Sequence, residues 1–245
     1  MTFHPSYRPV GERAILVEWT EEINPHIHQD ILAFEKIVSQ RFGKQVLETI
    51  VSYNSLTIFF NNDENTERII HQLKSVEMTS QARIEASRNS WLIPVCYDSS
   101  LGVDLGLISE SLERPVNQII ELHAEAEYLV YFLGFLPGFM YLGGLDDRLY
   151  FPRKSKPREK VNKGDVGIGG EQTGIYPNDS PGGWNIIGRT PITLFDPECD
   201  KPCFVNPGDI VQFRPISLEE YSYLEREIKT GNFYKQSLLR NGQRH

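Results

Sequence analysis

The chain has 245 residues, of which 40% are hydrophobic and 24% charged, as is ordinary for a globular protein. Its formal net charge of −8 at pH 7 argues against nonspecific binding to nucleic acid or to an anionic membrane, since both favour a basic surface. No stretch approaches the roughly 18–20 apolar residues of a membrane span, and no apolar signal segment opens the chain. We therefore expect a cytoplasmic protein that binds neither nucleic acid nor membrane.

The first part of the chain alternates predicted strands and helices. Asn24 followed by Pro25 is typical of a helix start, because Asn caps the first turn and proline tolerates the first helical position. The predicted elements are, in chain order, a strand at 14–19, a helix from Asn24 to Gly43, a hairpin of strands at 46–51 and 55–60, a helix after Asn65 and a strand at 83–94. The order β-α-β-β-α-β predicts a ferredoxin-like domain over residues 1–94.

The rest of the chain, residues 95–240, has a different character. Two short predicted helices, 103–112 and 115–124, lead into a segment dense in glycine and proline, with short β-type runs between. Ser217 and Glu220 then form a capping box before a last helix. This pattern predicts a β-barrel domain with long irregular loops, and an α+β protein overall.

The densest glycine run is Gly167-Ile168-Gly169-Gly170, which could in principle cradle phosphates. Ile175 stands where a P-loop needs lysine, and Gln172 replaces the third glycine of a dinucleotide fingerprint. Prolines follow in place of a helix start. The run therefore favours a glycine-bearing strand or bulge where another part of the chain passes close.

Polar and aromatic side chains follow this run at high density. Arginine binds carboxylates through two parallel hydrogen bonds, and amide side chains hydrogen-bond to amides, so the set suits a small amide or carboxylate ligand. Each residue alone is better explained by loop hydrogen bonds or by packing, but the cluster as a whole predicts a ligand surface. Its members are Gln172, Thr173, Tyr176, Ser180, Trp184, Asn185, Arg189 and Thr190.

Three other features are weaker candidates for sites. A basic run between Arg153 and Lys163 is better explained as solvated surface than as an anion site. This preference is weaker for Arg153 and Arg158, because each follows a proline. His123 lies on the apolar face of a predicted helix, where a satisfied core histidine is the common case. The three cysteines predict neither a disulfide framework nor a metal site, so we expect no metal ligands.

Several motifs occur in one order along the second half of the chain. They are LGFLPGFMYLGGL at 133–145, VGIGG at 166–170, QTGIYP at 172–177, SPGGW at 180–184, IGRTP at 187–191 and PGD at 207–209. In these motifs the sequence resembles the KipI family, also called the allophanate hydrolase subunit 1 domain and the B subunit of 5-oxoprolinase. One departure is Asn162-Lys163-Gly164-Asp165, where the resemblance predicts a Pro-Ala-Gly-Ser-like turn.

The resemblance implies a ferredoxin-like N-terminal domain and a cyclophilin-like C-terminal barrel. It also implies ATP-dependent 5-oxoprolinase activity in a complex with two partners, a KipA-like C subunit and an A subunit, with ATP and Mg²⁺ bound in the assembly. The reaction converts 5-oxoproline, ATP and water into glutamate, ADP and phosphate. We expect catalytic roles for Arg158, Gln172, Tyr176 and Arg189, and substrate contacts from Thr173, Ser180, Trp184, Asn185 and Thr190.

Two alternatives remain open. One family member inhibits a sporulation histidine kinase, so this chain could regulate a kinase through an apolar groove of Phe135, Phe139 and Tyr141. These aromatics are also compatible with barrel core. The other alternative is a carboxyltransferase-like subunit that acts on urea-derived substrates, because a related domain pair occurs in urea carboxylase.

Overall fold

The structure, a computed structural model, describes residues 5–61, 66–76, 88–233 and 235–240. The chain divides into two compact units, Met1–Arg88 and Asn89–His245. The predicted boundary after Pro94 therefore differs from the observed division. Within the described residues, no helix is both long enough and apolar enough to cross a membrane.

In its described residues, the first unit has a four-stranded antiparallel sheet and two α-helices. Its elements are β1 (Ser6–Val10), β2 (Ala14–Glu18), α1 (Pro25–Phe42), a one-turn 3₁₀ helix (Gly43–Gln45), β3 (Val46–Val51), β4 (Ser55–Phe60) and α2 (Thr66–Lys74). The strand order is β1-β2-β4-β3. Asn24 caps α1 as predicted, because its side-chain oxygen accepts a hydrogen bond from the His26 N–H at 2.9 Å. The apolar face of α1 packs into the core of this unit.

The ferredoxin-like arrangement is not confirmed. The described part of the first unit runs β-β-α-β-β-α, because β1, where no strand was predicted, pairs with β2. Residues 83–87 of the predicted last strand lie outside the described residues. The remainder is β5 (Ser90–Cys96), which belongs to the second unit, so its assignment to the N-terminal domain was wrong. Its ladder to the distant strand Ile210–Ile216 is a long-range pairing that no local pattern reveals.

The second unit is a closed seven-stranded barrel with order β10-β7-β6-β13-β5-β12-β9. Its elements are α3 (Leu105–Ser111), α4 (Val116–Glu125), β6 (Tyr128–Leu133), β7 (Met140–Gly143), β8 (Arg158–Val161), β9 (Asp165–Gly169), β10 (Gln172–Ile175), β11 (Ser180–Gly182), β12 (Asn185–Arg189), β13 (Ile210–Ile216) and α5 (Leu218–Lys229). One-turn 3₁₀ helices lie at Asp147–Leu149 and Lys235–Leu238. Strands β8 and β11 form a separate two-stranded sheet. The predicted barrel is confirmed.

A chain of hydrogen bonds fixes His123 in the barrel core. The Tyr97 hydroxyl lies 2.7 Å from Nδ1, and Nε2 lies 2.8 Å from the Thr173 Oγ1. Because the Thr173 hydroxyl donates to the Gly167 carbonyl at 3.0 Å, it accepts from Nε2, and Nδ1 accepts from Tyr97. The imidazole also stacks on Phe213 at 4.6 Å. Burial lowers the pKa of His123 to about 3, so the ring is neutral.

Candidate functional site

A surface pocket of about 230 Å³ lies on the second unit, beside the small β8–β11 sheet. Five of its ten lining residues are aromatic and two are cationic. The lining residues are Phe135, Phe139, Tyr141, Arg153, Lys154, Pro157, Tyr176, Gly182, Gly183 and Trp184. The structure thus brings together the three predicted groove aromatics with two members of the predicted ligand cluster.

Phe139 is the centre of the aromatic wall. Its ring makes edge contacts with Tyr141, Tyr176 and Trp184, at centroid distances of 5.0, 5.3 and 5.5 Å. Such edge-to-face pairs add about 0.5–1.5 kcal/mol each beyond the burial of apolar area, so the wall is rigid. Burial raises the pKa of Tyr141 and of Tyr176, so both hydroxyls stay protonated at neutral pH.

The glycine run makes room for Trp184. A Cβ added at Gly169 would lie 2.4 Å from the indole Cδ1, and one at Gly174 would lie 3.0 Å from Cζ3. The expected close approach at these glycines is therefore made by the Trp184 side chain, together with the Met140 carbonyl near Gly174. Glycine at these positions lets a large flat side chain lie directly on the backbone of the barrel.

Phe135 stands at the rim in a strained conformation. Its φ is +64°, and its side chain is 71% exposed, although it contacts Phe139 at a centroid distance of 5.9 Å. A left-handed backbone is uncommon for a bulky residue and costs of order 1 kcal/mol or more. Strain of this kind tends to occur at functional sites.

Arg153 supplies positive charge to the pocket. Its guanidinium carbon lies 5.6 Å from the centroid of the Trp184 ring, in a cation–π contact. Within the described residues, no acidic side chain lies within ion-pair distance of Arg153, whereas the neighbouring cations Lys154 and Arg158 both pair with Asp104. From the sequence, Arg153 belongs to the basic run but not to the predicted site residues. The signal available was its place directly after Pro152.

Asp104 anchors the loop that carries these cations. Arg158 binds both carboxylate oxygens, at 2.8 and 2.7 Å, and the Lys154 Nζ lies 2.8 Å from Oδ1. The Ile186 N–H also donates to this carboxylate, at 2.7 Å. Burial alone would raise the pKa of Asp104, but the hydrogen bonds from Arg158, Lys154 and Ile186 outweigh it, and the pKa is lowered.

Arg189 pairs with a buried carboxylate as well. Its Nε donates to the Asp165 Oδ1 at 2.5 Å, between positions that face each other across β9 and β12. The other Asp165 oxygen accepts the Asn162 N–H at 2.8 Å. Asp165 ends the turn at 162–165 and is the carboxylate partner of Arg189. The turn keeps Gly164 at φ +85°, against the Thr190 carbonyl.

The remaining predicted site residues do not line the pocket. Thr173 is in the barrel core, Asn185 donates to the Pro152 and Ile168 carbonyls, and Thr190 accepts from the Ile192 N–H. Gln172 begins β10 and is half-buried. Ser180 has a buried Oγ with no hydrogen-bond partner in the part of the chain that the structure describes. The described residues also contain no cluster of side chains suited to a metal ion.

The comparisons with known proteins agree with this architecture. Residues 5–205 match the carboxyltransferase domain, subdomains C and D. The chain is 35% identical over 238 residues to the B subunit of Bacillus subtilis 5-oxoprolinase, covering 93% of this chain and 99% of that protein. It is 26% identical over 264 residues to urea amidolyase of Saccharomyces cerevisiae, covering 92% of this chain and 14% of that protein.

Among solved structures, the chain is similar to that of TTHA0988, with a TM-score of 0.73 and 30% identity. The match covers 84% of this chain but only 40% of that longer protein. The barrel, its pocket and the match over residues 5–205 define a protein of the carboxyltransferase-domain class, subdomains C and D. Within this class, the 35% identity over nearly the full length of both chains shows that the chain belongs to the family of 5-oxoprolinase B subunits.

Proposed function

We propose that this chain is the B subunit of an ATP-dependent 5-oxoprolinase, active only in a complex with an A subunit and a C subunit. The observation that carries the proposal is the match to the B. subtilis B subunit, which extends over 93% of this chain and 99% of that protein. A match of this extent leaves little of either chain unaccounted for. The complex would use ATP, with Mg²⁺, to open the amide ring of 5-oxoproline to glutamate.

The chemistry of this reaction favours a shared site. Hydrolysis of the lactam needs coupling to ATP, and phosphorylation of the amide oxygen would make its carbon a better electrophile for water. Such a step needs hydrogen-bond donors around developing negative charge. The aromatic pocket offers the Tyr176 hydroxyl, which burial keeps protonated, and the Arg153 guanidinium. We assign the remaining catalytic groups to the companion subunits.

The two arginines that we expected to be catalytic have carboxylate partners within the chain. Arg158 is held by Asp104 and Arg189 by Asp165, so much of each charge is neutralised. We propose that they position the loops around the pocket. Gln172, Thr173, Ser180, Asn185 and Thr190 would support the same loops from outside the pocket. Tyr176 and Trp184 are the members of the predicted set that we keep in direct contact with substrate.

Reconstitution tests this function. The chain is co-expressed with candidate A and C subunits encoded beside it, and 5-oxoproline-dependent ATP hydrolysis is measured. We expect hydrolysis with all three chains and none when any one is omitted. ATP turnover that ignores 5-oxoproline, in a complex that assembles, would refute the proposal.

A second candidate is regulation of a sensor histidine kinase. The observation in its favour is the exposed and strained Phe135 at the mouth of a pocket that also contains Phe139 and Tyr141. In this role the pocket would grip apolar side chains of the kinase's helical bundle. Kinase autophosphorylation assays with the isolated chain distinguish the two: inhibition without any 5-oxoprolinase activity on reconstitution favours the regulator.

Urea chemistry is a third candidate, favoured by the 26% identity to urea amidolyase. Urea-dependent ATP hydrolysis in the presence of a biotin carboxylase partner would support it. We rank it below the oxoprolinase because the match covers 14% of the urea enzyme, against 99% of the B. subtilis protein.

A further inference from the structure

We propose that the aromatic pocket is the 5-oxoproline site of this chain, with Arg153 binding the substrate carboxylate and Trp184 packing against the ring. This inference rests on the proposed function and goes further, because it places the substrate on this chain and names the residue that selects for its charge.

The charge of the pocket favours an anionic ligand. Among the cations of the loop at 152–158, Lys154 and Arg158 are bound to Asp104, which holds the loop in place. Arg153 has no acidic partner among the described residues and lies over the Trp184 ring. A guanidinium fork with free donors is suited to bind a carboxylate through two hydrogen bonds.

The shape of the pocket favours a small ring. Its volume of about 230 Å³ lies below the roughly 300–1,000 Å³ that is usual for drug-sized ligands. The walls are flat aromatic faces and edges held by contacts to Phe139. A five-membered lactam can lie against such a wall, while the protonated Tyr176 hydroxyl can donate to an oxygen of the substrate.

The first measurement is the substrate dependence of the reconstituted complex. The variant Arg153→Gln is expected to raise the KM for 5-oxoproline about tenfold or more, because a charge-assisted hydrogen bond is lost, and to leave the KM for ATP unchanged. Lys156→Gln is the matched control: it removes the same charge from an exposed position of the same loop that does not line the pocket. An unchanged KM for 5-oxoproline in the Arg153 variant overturns the inference.

The second measurement tests binding of 5-oxoproline to this chain without requiring turnover. If the wild-type complex shows no 5-oxoproline-dependent turnover, the proposed function fails, and this measurement still tests the binding site. The full chain has three tryptophans, so an ¹⁵N-labelled sample gives three indole N–H signals, and Trp184→Phe identifies the relevant one. Trp19 belongs to the first unit, and the Trp91 Nε1 donates to Asp209, so both are internal controls.

Titration with 5-oxoproline is expected to shift the Trp184 signal alone. 2-Pyrrolidinone, which has the ring without the carboxylate, is expected to bind at least tenfold more weakly, and Arg153→Gln should abolish this difference. No shift of the Trp184 signal at saturating 5-oxoproline, or equal binding of the two ligands to the wild-type chain, overturns the inference.

Discussion

Hydrogen bonds within the barrel core give several polar residues of this chain a structural role. Tyr97, His123 and Thr173 satisfy one another in a line that ends at the Gly167 carbonyl. A buried polar group without a partner costs about 1–3 kcal/mol, so such a line is a structural requirement of a core that contains a histidine. Thr173, which we expected to contact substrate, is therefore part of the packing.

The buried imidazole predicts a pH dependence of stability. The pKa of His123 is about 3 when folded and near 6.5 when unfolded, so the unfolded state binds an extra proton between these values. The contribution of the neutral His123 to the free energy of unfolding is full above pH 6.5. It is lost as the pH falls towards 3, by up to about 1.4 kcal/mol per pH unit. Urea unfolding at pH 7, 6 and 5, followed by tryptophan fluorescence, measures this slope.

His123→Gln provides the control for that slope. We expect the variant to be less stable at pH 7, because it loses hydrogen bonds and the stacking on Phe213, yet to lose less stability per pH unit on acidification. An identical slope in the wild type and the variant would show that His123 does not hold its neutral form.

Asp104 predicts a second effect on stability. Asp104→Asn leaves Lys154 and Arg158 without a carboxylate, and we expect the free energy of unfolding to fall by about 2 kcal/mol. This is less than the roughly 3–5 kcal/mol lost when a fully buried pair is broken, because both cations are partly exposed. Since the pKa of Asp104 is lowered by folding, the difference from wild type is full above about pH 4 and shrinks at lower pH. Thermal unfolding at pH 7 and pH 3 measures both.

A surface ion pair serves as the comparison for Asp104. Asp179 pairs with Lys160 where both side chains are more than half exposed. Asp179→Asn is expected to leave the Tm nearly unchanged at either pH, because exposed pairs contribute little. If the two variants behaved alike, the network at Asp104 would have no special role in holding the loop.

At the scale of elements, local patterns predicted the helices well and the pairing of strands poorly. The cap at Asn24 and the capping box at Ser217 start helices where the sequence indicated, because these signals act within one turn. Strand β5 was assigned to the wrong unit, since its partner β13 lies over a hundred residues away. Strand β1 was missed because it is an exposed edge strand that contains Pro9.

The candidate site shows the same division between what local patterns reveal and what they do not. Five aromatic residues named from the sequence lie together, because glycine-rich loops and large flat side chains leave few ways to pack. The hydrogen-bond partners of Asn185 and Thr190 were not predictable, since an amide or hydroxyl has the same sequence signature whether it binds a ligand or its own backbone. Arg153 became distinguishable from its neighbours only when their partner Asp104 was located.

The contact between Gly169 and Trp184 gives a prediction for β9. Gly169→Ala places a methyl group 2.4 Å from the indole, which must move. We expect a loss of about 1–3 kcal/mol in the free energy of unfolding and a raised KM for 5-oxoproline in the complex. Gly106→Ala is the matched control, because nothing lies within 4 Å of the added methyl in helix α3, where alanine is favoured by about 1 kcal/mol. A Gly169 variant as stable as the wild type would contradict this packing.

At the scale of the whole molecule, the proposed function makes this chain one subunit of a larger complex. It matches the B. subtilis B subunit over almost its full length, and it covers 40% of the longer chain of TTHA0988. Its pocket opens to the surface beside the exposed Phe135. In the proposed complex, the companion subunits would complete this pocket with further catalytic groups.

The most direct test of the account follows ¹³C-labelled 5-oxoproline by NMR in mixtures of ATP, Mg²⁺ and the candidate A and C subunits. With the wild-type chain present, we predict that the label appears in glutamate; with Arg153→Gln, only at much higher substrate concentration; and with the chain left out, not at all. Glutamate formed equally well without this chain would contradict the account.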